Sequence, residues 1–149
     1  MSIRERDYIL KMIEQLAAAL SRVAGLKTAG KLDEAGDEIR NTADAILGPL
    51  ANTVDALDAA SAAKLLGNRQ KIGVYAALVA ELADIRARDG RDAEARSKYR
   101  RALEVQLACL SLHPDGAEQT RTAIRALRSK VVETDLPEKL RRALDAALG

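Results

Sequence analysis

A six-residue phrase occurs twice in this chain, as Gly30-Lys31-Leu32-Asp33-Glu34-Ala35 and as Gly90-Arg91-Asp92-Ala93-Glu94-Ala95. Each copy lies between stretches whose apolar residues recur at helical spacing. A glycine closes one helix, and acidic residues suited to the positive end of a helix follow at once. That is the chemistry of a helix–turn–helix corner. Two such corners commit the chain to helical hairpins, provided the flanking segments are helical throughout.

Composition meets that condition. The 149 residues include 29 alanines and 21 leucines, no Phe and no Trp. Alanine and leucine are strong helix formers, and small side chains let helices approach closely. The β-branched and aromatic enrichment of sheets is missing. The reading is all-α, and a chain of this length can bury a core without disulfides or metal.

Ser2-Ile3-Arg4-Glu5 has the spacing of a capping box, and Ile9, Met12, Ile13, Leu16, Leu20 and Val23 then trace a helix over about 3–27. A second helix starts near Asp33, carries Ala35, Ile39, Ala43, Ile46 and Leu47, and stops at Gly48-Pro49. Residues 50–67 read as short helices or loop, on Leu50, Val54 and Leu57 and then Ala62, Leu65 and Leu66. A long helix over about 69–89 is closed by Gly90. The next runs from Asp92 to about Leu112 and shows Ala95, Tyr99, Ala102, Leu103, Gln106, Leu107 and Leu110 on successive turns. After His113-Pro114, Asp115…Glu118 and Asp135…Glu138 each have capping-box spacing and predict two further helices, with Pro137 in the first turn of the last. The expectation is one domain over 1–149 with about six to seven helices, paired as hairpins over about 3–47, 69–112 and 115–148.

The second hairpin carries a longer pattern: Val79-x2-Leu82-Ala83, then Gly90, then Ala95-x3-Tyr99-x2-Ala102-Leu103-Glu104. It resembles the tetratricopeptide repeat, a helix–turn–helix module of roughly 34 residues. Small residues at 83, 95 and 102 stand where the paired helices touch, and Tyr99 fills the gap between them. The resemblance implies a right-handed stack of helical hairpins with a groove for a partner. It places Ala80, Asp84, Ala87 and Arg88 on the groove side, with Asp84 and Arg88 as candidate contacts. Val79 stands where the family has an aromatic, Arg86 replaces a tyrosine, and the two phrases are farther apart than one repeat. Separately, Asp7-Tyr8-Ile9-Leu10-Lys11-Met12-Ile13-Glu14-Gln15-Leu16, followed by the Gly30 phrase, is similar to the start of a family of small bacterial helical proteins without an assigned function. That resemblance implies a bacterial source and a helical fold, and it transfers no active-site residue.

Chemistry is harder to find. The one histidine, His113, lies four residues after the one cysteine, Cys109, on the same helix. A general base acting on a thiol is outweighed by the plainer reading of a helix-terminal histidine and a small core cysteine. One His and one Cys cannot supply a zinc tetrad, and Glu-x-x-His and Gly-rich phosphate motifs do not occur. Hence no catalytic residue, metal or cofactor is assigned, and the chain is not expected to be an enzyme.

Segment 86–101 gathers Arg86, Arg88, Arg91, Arg96, Lys98, Arg100 and Arg101 against Asp89, Asp92 and Glu94. Arg96 and Arg100 are the candidate anion contacts of a rival reading, a binder of an anionic ligand or nucleic acid. The cluster straddles a turn, lacks aromatics for base stacking, and offers Asp84–Arg88 and Asp92–Arg96 as local pairs, which favours a solvated, salt-bridged face. A net charge of +2 calls for neither nucleic acid nor membrane. No segment has the length of uncharged residues that spans a bilayer, the N-terminus shows no secretory pattern, and a lone cysteine fits a reducing compartment, so a cytoplasmic location is expected. The leading expectation is an interaction or assembly module for an unknown protein partner or for a second copy. Apolar coverage at Ile9, Leu10, Ile13 and Leu16 makes a homodimer the self-association form of that reading.

Overall fold

The computed structural model describes residues 2–149, and it is built from eight α-helices and one 3₁₀ turn among those residues. The helices are α1 (Ile3–Thr28), α2 (Leu32–Leu47), α3 (Leu50–Ala56), α4 (Ala59–Leu66), α5 (Arg69–Arg88), α6 (Asp92–Leu112), α7 (Ala117–Arg128) and α8 (Glu138–Leu148). The 3₁₀ turn, Glu133–Asp135, lies between α7 and α8. The all-α reading therefore stands, with eight helices in place of the six or seven expected. The excess comes from 50–67, where α3 and α4 form as two separate short helices.

The twin phrases adopt one backbone. Gly30 and Gly90 have φ of 74° and 75°, and the residues after them, Lys31 and Arg91, have φ/ψ of −88°/67° and −91°/65°. The Lys31 amide donates to Leu26 O and the Arg91 amide to Arg86 O, both at 2.9 Å. One residue earlier, the Gly30 amide donates to Lys27 O and the Gly90 amide to Ala87 O, at 3.0 and 3.1 Å. Each corner is thus a Schellman ending that satisfies the last carbonyls of one helix. Asp33 and Glu34, and likewise Asp92 and Glu94, then sit in the first turn of the next helix, where its dipole favours negative charge.

Other caps follow local chemistry too. Ser2 Oγ accepts from the Glu5 amide at 3.1 Å, Asp58 Oδ1 from Ser61 at 2.9 Å, and Asn68 Oδ1 from Lys71 at 2.7 Å. Two expected caps are corrected. Gly116, with a left-handed backbone and no side chain to cap, precedes α7 in place of Asp115, and Arg69 donates to its carbonyl at 3.2 Å. Asp135 ends the 3₁₀ turn instead of opening α8, and Pro137 is the residue before that helix. Arg128 fixes this turn by holding Glu133 at 2.7 Å and Asp145 of α8 at 2.8 Å.

Buried side chains from all eight helices join in one contiguous core. Its axis is α5, which buries Ile72, Val74, Tyr75, Ala76, Leu78, Val79, Ala83 and Ile85 and is therefore apolar nearly all round. α6 packs along it through Ala95, Tyr99, Ala102 and Leu103. Ala83, Ala102 and Leu103 are fully buried. The short helices α3 and α4 are pinned by a charged side chain. Arg101 donates to Leu57 O at 2.7 Å and Val54 O at 2.9 Å, covering carbonyls at the negative end of α3. It also donates to the Tyr75 hydroxyl at 3.2 Å, which in turn donates to Asp55 at 2.7 Å. Burial, with Asp55 beside it, pushes the Tyr75 phenol up to about 12 against the opposing pull of Arg101.

Candidate partner-binding groove

The long helices after which the chain turns back, α1 and α5, run in the same direction. At their starts Lys71 Nζ lies 5.3 Å from the centre of the Tyr8 ring, and at their ends Lys27 Nζ lies 2.7 Å from Asp84 Oδ2. α7 joins them in the same sense: Arg69 at the start of α5 donates to Gln119 Oε1 at 3.0 Å near the start of α7. Past its end, Lys130 sits 6.0 Å from the centre of the Tyr99 ring.

Between these three helices opens a groove of about 480 Å³. Its floor is small: Gly73, Ala77 and Ala80 follow one another along α5 at helical spacing, all partly exposed. One wall is large and apolar, made by Ile13, Leu16 and Leu20 of α1; the other is Ala123, Ala126 and Leu127 of α7. The apolar surface continues past the rim, since Leu10 is 52% and Ile13 45% exposed. The groove extends along α5 from Arg69 to Glu81, about 18 Å at the rise of an α-helix. Polar side chains mark both ends: Arg69, Gln70 and Gln119 at one, Glu81 and Lys130 at the other. Gln106 comes into the groove from α6 behind it.

The candidate groove residues have a definite placement. Ala80 lines the groove, while Asp84 lies one turn beyond and Ala87 and Arg88 are exposed past the end. Lys27 binds both Glu81 and Asp84, and Arg88 Nε donates to Asp84 at 3.1 Å. Burial disfavours the Lys27 ammonium, but the hydrogen bonds it donates to Asp84 and Glu81 outweigh it and hold its pKa above the usual value. Burial likewise works against the Asp84 carboxylate, and Lys27 and Arg88 together hold its pKa below the usual range. Burial, with Asp84 and Glu81 nearby, pushes the Tyr99 phenol up. This cluster ties α1 to α5 at one end of the groove.

Arg96 and Arg100 come together with Arg101 around a second cavity of about 540 Å³. The same cavity is lined by Asp58, Glu104 and Asp135, so three acidic groups face three basic ones. Arg100 donates to Glu104 at 2.9 Å. Arg96, expected opposite Asp92 one turn back, instead lies 4.0 Å from Asp135. Elsewhere in the basic segment Arg86 is 3.2 Å from Glu94, and Arg91 is 3.1 Å from Asp89.

His113 ends α6 and its Nε2 lies 2.7 Å from Gly67 O, which makes Nε2 the protonated nitrogen and ties the α4–α5 corner to the α6–α7 corner. Cys109 is 1% exposed, and burial raises its thiol pKa despite Thr120 and Arg69 nearby. Both groups stand where the plainer reading of the sequence placed them. Among the described residues, no group of three or more His, Cys, Asp or Glu is arranged to hold a metal ion. No helix among them is long and apolar enough to cross a membrane.

Sequence reasoning missed two parts of the groove. The α1 wall was legible only as apolar coverage, with no sign of what it faced. Gln106 carried a signal of its own, a polar residue within the apolar stripe of α6. Set against known protein families, curated proteins and solved structures, the chain finds no match.

Proposed function

We propose that this chain is a protein-interaction module of tetratricopeptide-like construction that receives an amphipathic helix of a partner protein between α1, α5 and α7. The carrying observation is the groove: the first helices of three pairs, α1/α2, α5/α6 and α7/α8, line it in one direction, with α3 and α4 intervening between the first pair and the second. The packing of α5 against both α1 and α2, and of α7 against α6, is the succession expected when hairpins stack. A floor of Gly and Ala lets a helix backbone come close, and a wall of Ile and Leu receives its apolar stripe. Asp84 ties α5 to Lys27 of α1 at the end of the groove and Arg88 pairs with Asp84 within α5, so that the two flank an incoming chain end. A cytoplasmic setting accords with a single buried thiol.

The rival reading, an anionic ligand or nucleic acid on 86–101, has less to draw on, because Arg86, Arg88, Arg91 and Arg100 already face carboxylates and Arg101 faces carbonyls. One experiment separates the two. Proteins captured from a lysate of the native host by wild type are compared with those captured by Ala77→Glu and by Arg96→Glu/Arg100→Glu, with heparin retention measured in parallel. Partners lost on Ala77→Glu and kept on the arginine variant support the groove. Partners kept on Ala77→Glu, with heparin retention lost on the arginine variant, refute it.

A further inference from the structure

Gln106 is the buried amide side chain that, among the described residues, the groove leaves without a protein partner. It is only 6% exposed, yet among the described residues no side-chain hydrogen bond involves its amide, and it lines the groove along with Thr120. Neither amide atom is sealed from solvent, since among the described residues the one fully buried side-chain atom without a hydrogen bond is Arg86 Nε, which is ion-paired with Glu94 at 3.2 Å. Because Gln106 lines the groove with Gly73, Ala77 and Ala123 and its amide keeps some exposure, the amide is within reach of a ligand lying there. Burying an amide without a partner is unfavourable, and polar groups placed singly in an apolar cleft are what orient a ligand. Thr120 of α7, 4% exposed, lines the same groove with its hydroxyl engaged by the Cys109 thiol.

The geometry points to Gln106 as a specificity residue that takes an uncharged amide side chain, Asn or Gln, from the middle of the apolar stripe of a docked helix. This rests on the groove reading above. An amide is the matching chemistry because it offers a donor and an acceptor together, as Gln106 does, and carries no charge. A charged group would lose its hydration at this depth without a counter-charge, since the ionic groups Arg69, Glu81 and Lys130 sit at the two ends. The length of the groove, about three helical turns, suits a helical segment with one such residue between apolar anchors.

The test uses Gln106→Met, close in volume but without the amide. In the free protein the variant melts at a higher temperature than wild type by about 2–4 °C, since it removes a poorly satisfied buried polar group. A lower melting temperature would show that Gln106 is held within the fold, and would overturn the assignment. A displayed library of amphipathic helical peptides is then selected separately on wild type and on Gln106→Met, keeping peptides that do not bind Ala77→Glu. Wild type enriches Asn or Gln at one stripe position, and those peptides bind Gln106→Met at least tenfold more weakly. The variant enriches Leu or Met there instead. Groove-dependent peptides with only apolar stripes on both proteins would overturn the amide site and leave the groove reading standing. Failure to recover any peptide sensitive to Ala77→Glu would overturn both. A wild type that sediments as a dimer, with Ala77→Glu monomeric, would assign the groove to a second copy and overturn the partner helix.

Discussion

The same substitution, glycine to alanine, should change sign between neighbouring places in this fold. At Gly30 and Gly90 an added Cβ would meet nothing within 4 Å, so sterics with neighbours contribute nothing. What remains is the backbone, with φ of 74° and 75° at the two corners. Holding an L-residue in that region costs about 1–2 kcal/mol. Alanine also stiffens the unfolded chain, which returns about 0.4–1 kcal/mol. The net expectation is a loss of about 1 kcal/mol at each corner, the same at both because the two backbones coincide. The corners share no hydrogen-bond partner, so Gly30→Ala/Gly90→Ala should lose about 2 kcal/mol. Gly25, a turn before the first corner, is inside α1 and also has open space around its would-be Cβ. There alanine gains about 0.5–1 kcal/mol from helix propensity. Urea unfolding followed by far-UV circular dichroism measures all four variants, and each kcal/mol moves the melting temperature by about 2–4 °C. Clearly unequal losses at Gly30 and Gly90, or a destabilised Gly25→Ala, would refute the equivalence of the corners and the backbone argument beneath it.

Other predictions follow from the polar contacts. Because the folded Asp84 pKa lies below its ordinary value of 3.8, its ion pairs stabilise the fold above about pH 4, and that contribution is lost as the pH falls through the folded pKa. Asp84→Asn should therefore flatten the dependence of the urea midpoint on pH below about 4, and parallel curves for the two proteins would contradict the cluster. Arg101→Met should lose about 2 kcal/mol by stripping α3 of its charged donor, with faster hydrogen exchange confined to 50–66; uniform acceleration across α7 and α8 would show the anchoring is not local. Cys109, buried and with a raised thiol pKa, should react with iodoacetamide only as fast as the native state opens. Immediate labelling of the native protein would contradict its burial.

Much of the architecture was legible because it is encoded within a few residues. A Schellman ending involves hydrogen bonds spanning six residues, so Gly30 and Gly90 announce it wherever they stand, and Ser2 caps its helix through the amide three positions on, as the structure shows Asp58 and Asn68 to do as well. Apolar periodicity likewise set out α1, α2, α5 and α6 before any contact was known. The failures of local reading have long-range causes. At the start of α7, Gly116 stands where Asp115 was expected and is held by Arg69 from 47 positions away, and Arg96 turned from Asp92 to an acid on the 3₁₀ turn. Residues 50–67 read as short helices or loop because what pins them, Arg101 on the α3 carbonyls, comes from 44 and 47 positions away.

The sequence by itself determined that this chain is helical, where its corners are, and that each corner turns with the same backbone, since propensity, capping and glycine dihedrals are properties of neighbouring residues. Only the tertiary structure decided that α1, α5 and α7 line one groove, that Lys27 would claim Asp84, and that Gln106 of α6 would meet that groove beside Gly73, Ala77 and Ala80 without a side-chain hydrogen bond among the described residues. Those outcomes depend on which apolar faces meet and which charges are then left within reach, and alanine-rich helices offer several such faces of nearly equal chemistry. The groove is a property of the packing, read from residues that were individually plain.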